Sequence, residues 1–306
     1  MKRTTNCIVA LLILAWTASA LGAYPPDMPG SEAEVYKTVN GFDLKIYRYT
    51  PETNDAPKPA IVFFFGGGWR GGSPEQFAEH AEYLASRGMV AFVADYRVLS
   101  RNDVPAVECV KDAKAAVRWI RQNAKRLGVD PKRIVASGGS AGGHLAACTG
   151  LVPELEHDDE DLSVSSRPDA LVLFNPATVL ASYEGVPMDT KRAASLRKRL
   201  GVDNEAISPI HHVQQGNPPT ILFHGTADTT VPFVTASKFA EAMKAAGNVC
   251  ELASYDERAH GFFNWSKGDG SDYVESCRQM DRFLTELGYL TGEPTVTVPT
   301  SQSDSE

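Results

Sequence analysis

The sequence predicts an α/β fold with a mostly parallel central sheet of about eight strands, helices on both faces and a small cap insertion. Short apolar runs rich in Val, Ile and Phe alternate along the chain with longer segments of helical periodicity. Strands that are apolar along their whole length are typical of parallel sheets, which are buried on both faces. The 306 residues, of which 43% are hydrophobic and 22% charged, suffice for a large core.

The first two predicted strands alternate around Asn40-Gly41, which is typical of a hairpin turn and predicts an antiparallel edge. The long helical segment should stop at Gly128, just before Asp130-Pro131. The predicted strands cover residues 35–39, 43–49, 60–65, 89–94, 133–137, 170–174, 219–223 and 249–255. The predicted helices cover residues 77–87, 104–127, 140–149, 233–246 and 273–287.

The N-terminus has the features of a secretory signal peptide over residues 1–22. A positive start, Met1-Lys2-Arg3, precedes a short apolar run over residues 8–16 and the small-residue pattern Ala18-Ser19-Ala20. This pattern predicts export to the periplasm or the extracellular space, with no membrane span in the mature chain. The alternative is a buried N-terminal helix.

The rest of the chain divides into three parts. A Pro-rich lead-in covers residues 23–34, and one folded domain covers residues 35–290, in which residues 177–215 are expected to form a helical cap. The tail at 291–306 is rich in Thr, Ser and Pro and is expected to be disordered.

Charge and cysteine content limit the possible partners. The formal net charge of −8 argues against a nucleic-acid partner, because phosphate binding needs a surplus of Lys and Arg. No His/Cys cluster predicts a metal site, no cofactor is expected, and the acidic run 156–161 around His157 is more typical of a solvated loop. Four cysteines follow the signal segment, and they are either buried free thiols or members of one or two disulfides: Cys109, Cys148, Cys250 and Cys277.

The strongest motif is Gly138-Gly139-Ser140-Ala141-Gly142, a G-x-S-x-G sequence between a predicted strand and a predicted helix. In that setting the turn is tight, and it exposes the serine hydroxyl above the sheet at a helix N-terminus. Ser140 is therefore the candidate nucleophile. The alternative is a glycine-rich turn in which the serine only caps the helix.

A serine hydroxyl needs a base, and the base needs a carboxylate to orient it. His260 lies in a loop after the last predicted strand, and Asp228 follows the strand 219–223. We expect His260 to be the base and Asp228 its partner. Asp228 could instead cap the next helix, and Asp256 and Glu257 are rivals that lie too near His260 in sequence.

Three glycines, Gly66-Gly67-Gly68, follow directly after the core strand 60–65 and precede Trp69. Bare backbone lets N–H groups turn toward a ligand. We expect the N–H groups of Gly67, Gly68 and Ala141 to form an oxyanion hole, unless the glycines are only a flexible loop. Trp69, Tyr183 and Phe262 are candidates for the lining of a substrate pocket, although aromatic side chains of this kind are more often simply core.

These motifs together resemble the α/β-hydrolase superfamily, and within it small exported esterases related to the hormone-sensitive-lipase and feruloyl/acetyl-esterase (BD-FAE-like) groups. The order Ser, Asp, His matches that superfamily. Further segments are similar to this family: 95–97 (DYR), 112–120 (DAKAAVRWI) and 129–134 (VDPKRI). The family's oxyanion motif usually begins with histidine, whereas Phe65 stands there in this chain and can hold the loop only by packing.

The resemblance implies a serine carboxylic-ester hydrolase that acts on short acyl esters, such as acetyl or feruloyl groups on polysaccharide. The basic stretch 191–199 in the cap is either a solvated helix side or a surface that favours acidic or sugar-linked substrates. One alternative is a peptidase of the prolyl-oligopeptidase type, whose usual propeller domain has no room in this chain. The other is a non-catalytic binding protein, which would typically have lost the serine or the histidine.

Overall fold

The structure is a computed structural model that describes residues 24–53 and 56–297. The predicted signal peptide at 1–22 lies outside the described residues. Within the described part, no helix is both long enough and apolar enough to cross a bilayer.

Eight strands form one mixed sheet, which confirms the predicted sheet: β1 (Glu32–Val39), β2 (Phe42–Tyr49), β3 (Lys58–Phe64), β4 (Val90–Ala94), β5 (Val129–Gly139), β6 (Ala170–Phe174), β7 (Thr220–Gly225) and β8 (Cys250–Tyr255). Their order in the sheet is β1-β2-β4-β3-β5-β6-β7-β8. The β1/β2 hairpin is antiparallel and adds antiparallel to β4, while the remaining neighbours are parallel. β5 begins earlier than predicted, because residues 130–133, which separate Val129 from the apolar part of the strand, are exposed or half-buried and give no apolar signal.

The helices cover both faces of the sheet. The predicted long helix at 104–127 is divided at Asn123, whose side-chain amide donates to the Trp119 carbonyl, and a short helix after β4 was not predicted. The helices are α1 (Ala78–Ser86), α2 (Leu99–Asn102), α3 (Ala106–Gln122), α4 (Ala124–Leu127), α5 (Ala141–Leu151), α6 (Thr190–Leu200), α7 (Phe233–Ala245) and α8 (Ser271–Glu286).

Alternate residues of the central strands feed two separate hydrophobic clusters, because successive side chains of a strand point to opposite faces. On β3, Val62 and Phe64 pack into the cluster that contains residues of α3, α5 and α7. Ile61 and Phe63 pack into the cluster that contains residues of α1 and α8. All four side chains are fully buried, which explains why the strand reads as a continuous apolar run.

The acidic loop around His157 is solvated only in part: three of the five acidic side chains in residues 156–161 are exposed, and the other two contact the body of the domain. Glu156 and Glu160 form ion pairs with Arg118 at 2.9 and 3.1 Å, and His157 Nε2 lies 2.9 Å from Asp112. Arg118 is 2% exposed, and a buried guanidinium needs counter-charges. The loop supplies them.

The four cysteines after the signal segment are buried free thiols, which decides between the two alternatives left open by the sequence. Burial raises the pKa of the Cys250 thiol to about 12 and the pKa of the other three further still. They therefore stay protonated and serve as small apolar core residues.

The first residues of the predicted tail are packed. Val296 is buried in the cluster beside α8, and the carbonyls of Thr291 and Gly292 accept hydrogen bonds from the Arg87 guanidinium. These contacts fix residues 291–297 against the domain, so the expected disorder does not begin at 291. Residues 298–306 lie outside the described part of the chain.

His80 on α1 predicts a pH-dependent stability. It is fully buried among aromatic rings, including those of Phe77 (5.1 Å) and Tyr273 (4.8 Å), and neither ring nitrogen has a hydrogen-bond partner among the described residues. Burial lowers its pKa to about 3, from an ordinary 6.5. Below pH 6.5 the imidazole of His80 therefore binds a proton in the unfolded chain but not in the folded chain. The free energy of unfolding falls as the pH drops toward 3.

We expect the variant His80→Leu to remove this sensitivity. On acidification from pH 7.5 to 5.0, it should lose about 2 kcal/mol less of its free energy of unfolding than the parent protein does. Urea denaturation at the two pH values measures the difference, with the pH 7.5 curves as the reference for each protein. Equal losses in the two proteins would contradict this assignment.

Candidate active site

The candidate nucleophile lies on a strained turn between β5 and α5. Ser140 has φ 55° and ψ −115°, a conformation that non-glycine residues rarely adopt. The turn presses against the end of β3 so closely that a Cβ on Gly142 would lie 1.9 Å from the Phe64 carbonyl oxygen. The glycine of the motif is therefore required by sterics, and the predicted elbow geometry is present.

The structure brings the three predicted side chains together. His260 Nε2 lies 2.9 Å from Ser140 Oγ, and His260 Nδ1 lies 2.7 Å from Asp228 Oδ2. With the proton on Nδ1, the imidazole donates to the carboxylate and accepts the serine hydroxyl proton at Nε2. The groups come from loops after β5, β7 and β8, which end at the same edge of the sheet.

Asp228 is held as a carboxylate. Its side chain is 0% exposed, and its Oδ1 accepts the N–H groups of Thr230 and Val231, each at 2.9 Å. Burial alone would raise the pKa of the carboxyl, but hydrogen bonds from His224, His260 and the Val231 N–H outweigh burial and hold the pKa well below its usual range. Asp228 is therefore a carboxylate at neutral pH.

His224 is a functional neighbour that sequence reasoning did not identify. Its Nε2 lies 2.8 Å from the Val231 carbonyl and 3.4 Å from Asp228 Oδ2, and its side chain is fully buried. It is the penultimate residue of β7 and lies four residues before Asp228. The four-residue spacing across a tight turn was the signal that could have indicated this contact from the sequence, but a histidine on a strand has many other possible roles.

The loop that carries His260 is fixed by two asparagines. The Gly261 N–H donates to Asn175 Oδ1 at 3.0 Å, and Asn264 Nδ2 donates to the Gly261 carbonyl at 2.8 Å. Asn175 directly follows β6 and has φ 41°. The loop after β6 thus positions the residue next to the imidazole.

Of the predicted oxyanion donors, Gly68 and Ala141 line the same cavity as Ser140, whereas Gly67 is not among its lining residues. Gly67 has φ 123°, and a Cβ there would lie 2.3 Å from the Gly71 carbonyl oxygen, so this loop also depends on glycine. Ala141 begins α5, where an N–H has no partner inside the helix. Among the described residues, the N–H groups of Gly67, Gly68 and Ala141 have no protein acceptor and are available to a ligand.

Phe65 is held by more than packing. Its ring stacks on Tyr96 with 4.0 Å between centroids, and the Tyr96 hydroxyl donates to the Phe65 carbonyl at 2.6 Å. The next residue, Gly66, donates its N–H to Gln76 Oε1 at 2.6 Å. The polar side chains of Tyr96 and Gln76 therefore hold the glycine loop at the place where the family that this chain resembles has a histidine. The sequence analysis did not predict this role for either residue.

Gln76 also links the glycine loop to the histidine loop. Its Nε2 donates to Asn264 Oδ1 at 2.9 Å, and Asn264 in turn bonds to the Gly261 carbonyl. A chain of side-chain amides thus runs from the residue before the oxyanion donors to the residue after His260. It fixes the distance between the two halves of the site.

A cavity of about 920 Å³ opens over Ser140 and Ala141. Trp69 lines it, with its indole N–H donating to His144 Nδ1 at 3.2 Å. Tyr183 and Phe262 do not line it: Tyr183 packs on the His211 ring, and Phe262 is buried against Tyr255. Both are remote because they face other elements, which no local pattern encodes.

The insertion at 177–215 contributes α6 and two short 3-10 segments. Part of the basic stretch turns toward the cavity: Lys191, Arg192, Lys198 and Arg199 all line it. In the described residues, no group of three or more His, Cys, Asp or Glu side chains converges as metal ligands.

The amide chain predicts that Gln76 acts through the position of the glycine loop. We expect Gln76→Leu to lower kcat for an ester such as 4-nitrophenyl acetate about 10- to 100-fold, because small misplacements of a site cost rate. KM should change by less than about threefold, since the bound ester is largely held by other groups. Steady-state kinetics measure both.

Asn264→Leu should have a similar effect, and the double variant should lose little more than either single variant, because the two residues form one link. Gln279→Leu is the matched control, since within the described part of the chain the Gln279 side chain on α8 bonds only to Glu275, one turn earlier. Additive losses in the double variant would contradict the proposed link, provided that thermal unfolding shows all variants folded.

Comparisons with known proteins identify the family. The BD-FAE family model matches residues 44–243. Esterase 2 of the planctomycete Thermogutta terrifontis is 55% identical with a TM-score of 0.84, covering 88% of this chain and 96% of that chain. It has also been solved with propionate or butyrate bound and phosphorylated by paraoxon.

Two relatives found by sequence comparison are also named as esterases. Carboxylesterase NlhH of Mycobacterium tuberculosis is 29% identical over 248 residues, 73% of this chain and 72% of that protein. The probable isoprenylcysteine alpha-carbonyl methylesterase ICMEL1 of Arabidopsis thaliana is 27% identical over 235 residues, 72% of this chain and 48% of that protein. The chain thus spans about half the length of the methylesterase relatives that it matches. Sequence, fold and site together show that the chain belongs to the BD-FAE family of α/β-hydrolase-fold serine carboxylesterases.

Proposed function

We propose that this chain hydrolyses carboxylic esters with short acyl chains through an acyl-enzyme formed on Ser140. The observation that carries the proposal is the unbroken hydrogen-bonded line from Asp228 through His260 to Ser140, which ends in a cavity beside unpaired backbone N–H groups. Such an arrangement activates a hydroxyl and stabilises the negative oxygen that its attack creates.

In the first half of the reaction, Ser140 Oγ bonds to the ester carbonyl carbon while His260 Nε2 takes the hydroxyl proton. The N–H groups of Gly67, Gly68 and Ala141 donate hydrogen bonds to the carbonyl oxygen and stabilise its developing negative charge. When the intermediate collapses, the C–O bond to the alcohol breaks, and His260 returns the proton to the leaving oxygen.

In the second half, water replaces the alcohol, and His260 takes a proton from it as it attacks the acyl carbon. Collapse of this second intermediate breaks the bond to Ser140, which recovers its proton from His260 and frees the carboxylic acid. Asp228 stays ionised throughout and stabilises the imidazolium that forms in each half.

The size of the acyl group is proposed from the acids that have been found bound to a similar protein. Thermogutta terrifontis esterase 2 has been solved with propionate and with butyrate bound. That protein has also been solved phosphorylated by paraoxon, and organophosphates react with activated nucleophiles. The cavity of about 920 Å³ is larger than such an acyl group needs, and it therefore has room for the alcohol part of the ester. Acetyl or feruloyl groups on polysaccharide are the natural substrates that the family resemblance suggests.

The function is tested with an ester series and two variants. We expect 4-nitrophenyl acetate and butyrate to be cleaved, longer acyl esters to be poorer substrates, and a prolyl anilide to be cleaved little. Ser140→Ala should lower kcat at least about 10³-fold and abolish labelling by a fluorophosphonate. Asp228→Asn should lower kcat about 10³- to 10⁴-fold, because the imidazole loses its orienting acceptor.

Three outcomes would contradict the proposal. Undiminished turnover by Ser140→Ala would remove the acyl-enzyme. A faster reaction with the prolyl anilide than with the acetate would favour a peptidase. No labelling and no turnover in a folded parent protein would favour a non-catalytic binding protein. Release of ferulate or acetate from acylated sugars would then define the natural ester.

We also propose that the chain is exported, on the basis of the charged start, apolar run and small-residue pattern within residues 1–22. Expression of the full chain in a bacterial host should give a processed form that begins at about residues 21–23 and fractionates outside the cytoplasm. N-terminal sequencing and fractionation against a cytoplasmic marker measure this. Leu12→Arg, which interrupts the apolar run, should leave the protein unprocessed, whereas an intact N-terminus in the parent would refute export.

A further inference from the structure

One wall of the cavity is strongly cationic in a protein of net charge −8. Among the described residues that line the cavity, two carboxylates, Asp103 and Asp189, face five cations. Four of the cations come from the cap, and one comes from the loop after the glycines: Lys191, Arg192, Lys198, Arg199 and Arg70. A concave surface of one sign attracts ligands of the opposite sign.

Arg199 is the member of this wall that the fold leaves unsatisfied. It is half-buried, and its Nε is buried without a hydrogen-bond partner in the described part of the chain. Within that part, no carboxylate lies within ion-pair distance of Arg199 or of Arg70. A buried N–H donor without an acceptor costs stability, so a ligand that accepts from it recovers that cost.

The position of Arg199 places this donor beside the reaction centre. Its guanidinium carbon lies 4.9 Å from the centroid of the Trp69 ring. Trp69 directly follows Gly68, and its indole is fixed by the hydrogen bond to His144 on the Ser140 helix. The cation is therefore stacked on a rigid platform one residue from a proposed oxyanion donor.

Electrostatics add to this picture. Burial, and then the nearby charge of Arg70, lower the pKa of the Arg199 guanidinium. Two cations that repel each other at the edge of a cavity are stabilised together by an anion placed between them. A carboxylate or sulfate suits a guanidinium because it accepts two parallel N–H bonds.

The two carboxylates of the wall do not fill this role. Asp189 is the N-cap of α6, and its Oδ1 accepts the Arg192 N–H at 2.8 Å. Asp103 is exposed and is the C-cap of the short helix α2. By contrast, Arg197 on the same helix is 64% exposed and pairs with Asp203 at 2.9 Å. A carboxylate partner is thus present on the exposed face of this helix, whereas the buried Nε of Arg199 has none among the described residues.

We infer that Arg199, with Arg70, forms an anion subsite over Trp69, and that the preferred esters carry a compact negative group, a carboxylate or sulfate, besides the ester itself. The inference rests on the proposed esterase function and names its substrate class. The negative group could belong to the acyl part, as in a half-ester of a dicarboxylic acid, or to the alcohol part, as in an acidic sugar. The chemistry of recognition is the same in both cases.

Two matched pairs of esters test the subsite. For the acyl side, mono-4-nitrophenyl adipate is compared with 4-nitrophenyl methyl adipate. For the alcohol side, the butyryl ester of 3-hydroxybenzoate is compared with that of methyl 3-hydroxybenzoate. In one pair at least, we expect kcat/KM of the anionic ester to exceed that of its neutral partner about tenfold, and the excess to shrink at high salt. The pair that shows the excess identifies which part carries the anion.

Variants assign the preference to the subsite. Arg199→Gln should reduce the ratio of anionic to neutral kcat/KM to near one, while Arg199→Lys, which keeps the charge but not the fork, should retain part of it. Arg197→Gln removes the same charge from the exposed face and should keep the parent ratio. Thermal unfolding checks that each variant is folded.

The outcomes separate the two proposals. If the neutral esters are cleaved but no anionic ester is preferred, or if Arg197→Gln lowers the ratio as much as Arg199→Gln, the subsite is refuted and the esterase function stands. If no ester of either kind is cleaved and a fluorophosphonate does not label Ser140, the esterase function fails and the subsite falls with it.

Discussion

The site depends above all on the close approach of two backbones, where the turn at Ser140 meets the end of β3. With only a hydrogen at Gly142, the start of α5 reaches the Phe64 carbonyl, a distance at which any side chain would collide. This contact brings the exposed hydroxyl next to the glycine loop that continues β3. The nucleophile and the oxyanion donors are adjacent for this reason, and the strain at Ser140 is maintained by the packed sheet beneath it.

Side-chain amides then connect the loops that emerge from this edge of the sheet. Gln76, Asn175 and Asn264 each bond to backbone groups of the glycine or histidine loop. Their contribution is positional, because none of them reaches the reacting atoms. Loops that are held by such contacts need little rearrangement when a substrate binds, which favours rate over adaptability. The same logic explains how the chain accommodates Phe65, since Tyr96 and Gln76 supply the restraint.

The arrangement of charged side chains differs between the body of the fold and the cavity. In the body of the fold, buried cations are neutralised by the chain itself: Arg97 pairs with Asp112 at 2.8 Å, and Arg118 pairs with the acidic loop. Around the cavity the balance changes, and cations of the cap face the site with few partners. An acidic protein that concentrates unpaired cations at one concave surface directs anionic ligands to it. The cap thus adds selection to a site whose chemistry is set by the sheet.

The sequence by itself determined the fold class, the eight strands, the turn at Ser140 and the choice of Asp228 and His260, because each has a local signal in periodicity, glycine placement or position after a strand. The tertiary structure decided what those signals omit. In it, the loop at 156–161 forms ion pairs with the body of the domain, and the four cysteines are free thiols. Arg199 lines the cavity, whereas Tyr183 and Phe262 do not. These outcomes depend on which side chains meet across elements distant in sequence, and packing of the whole chain fixes those meetings.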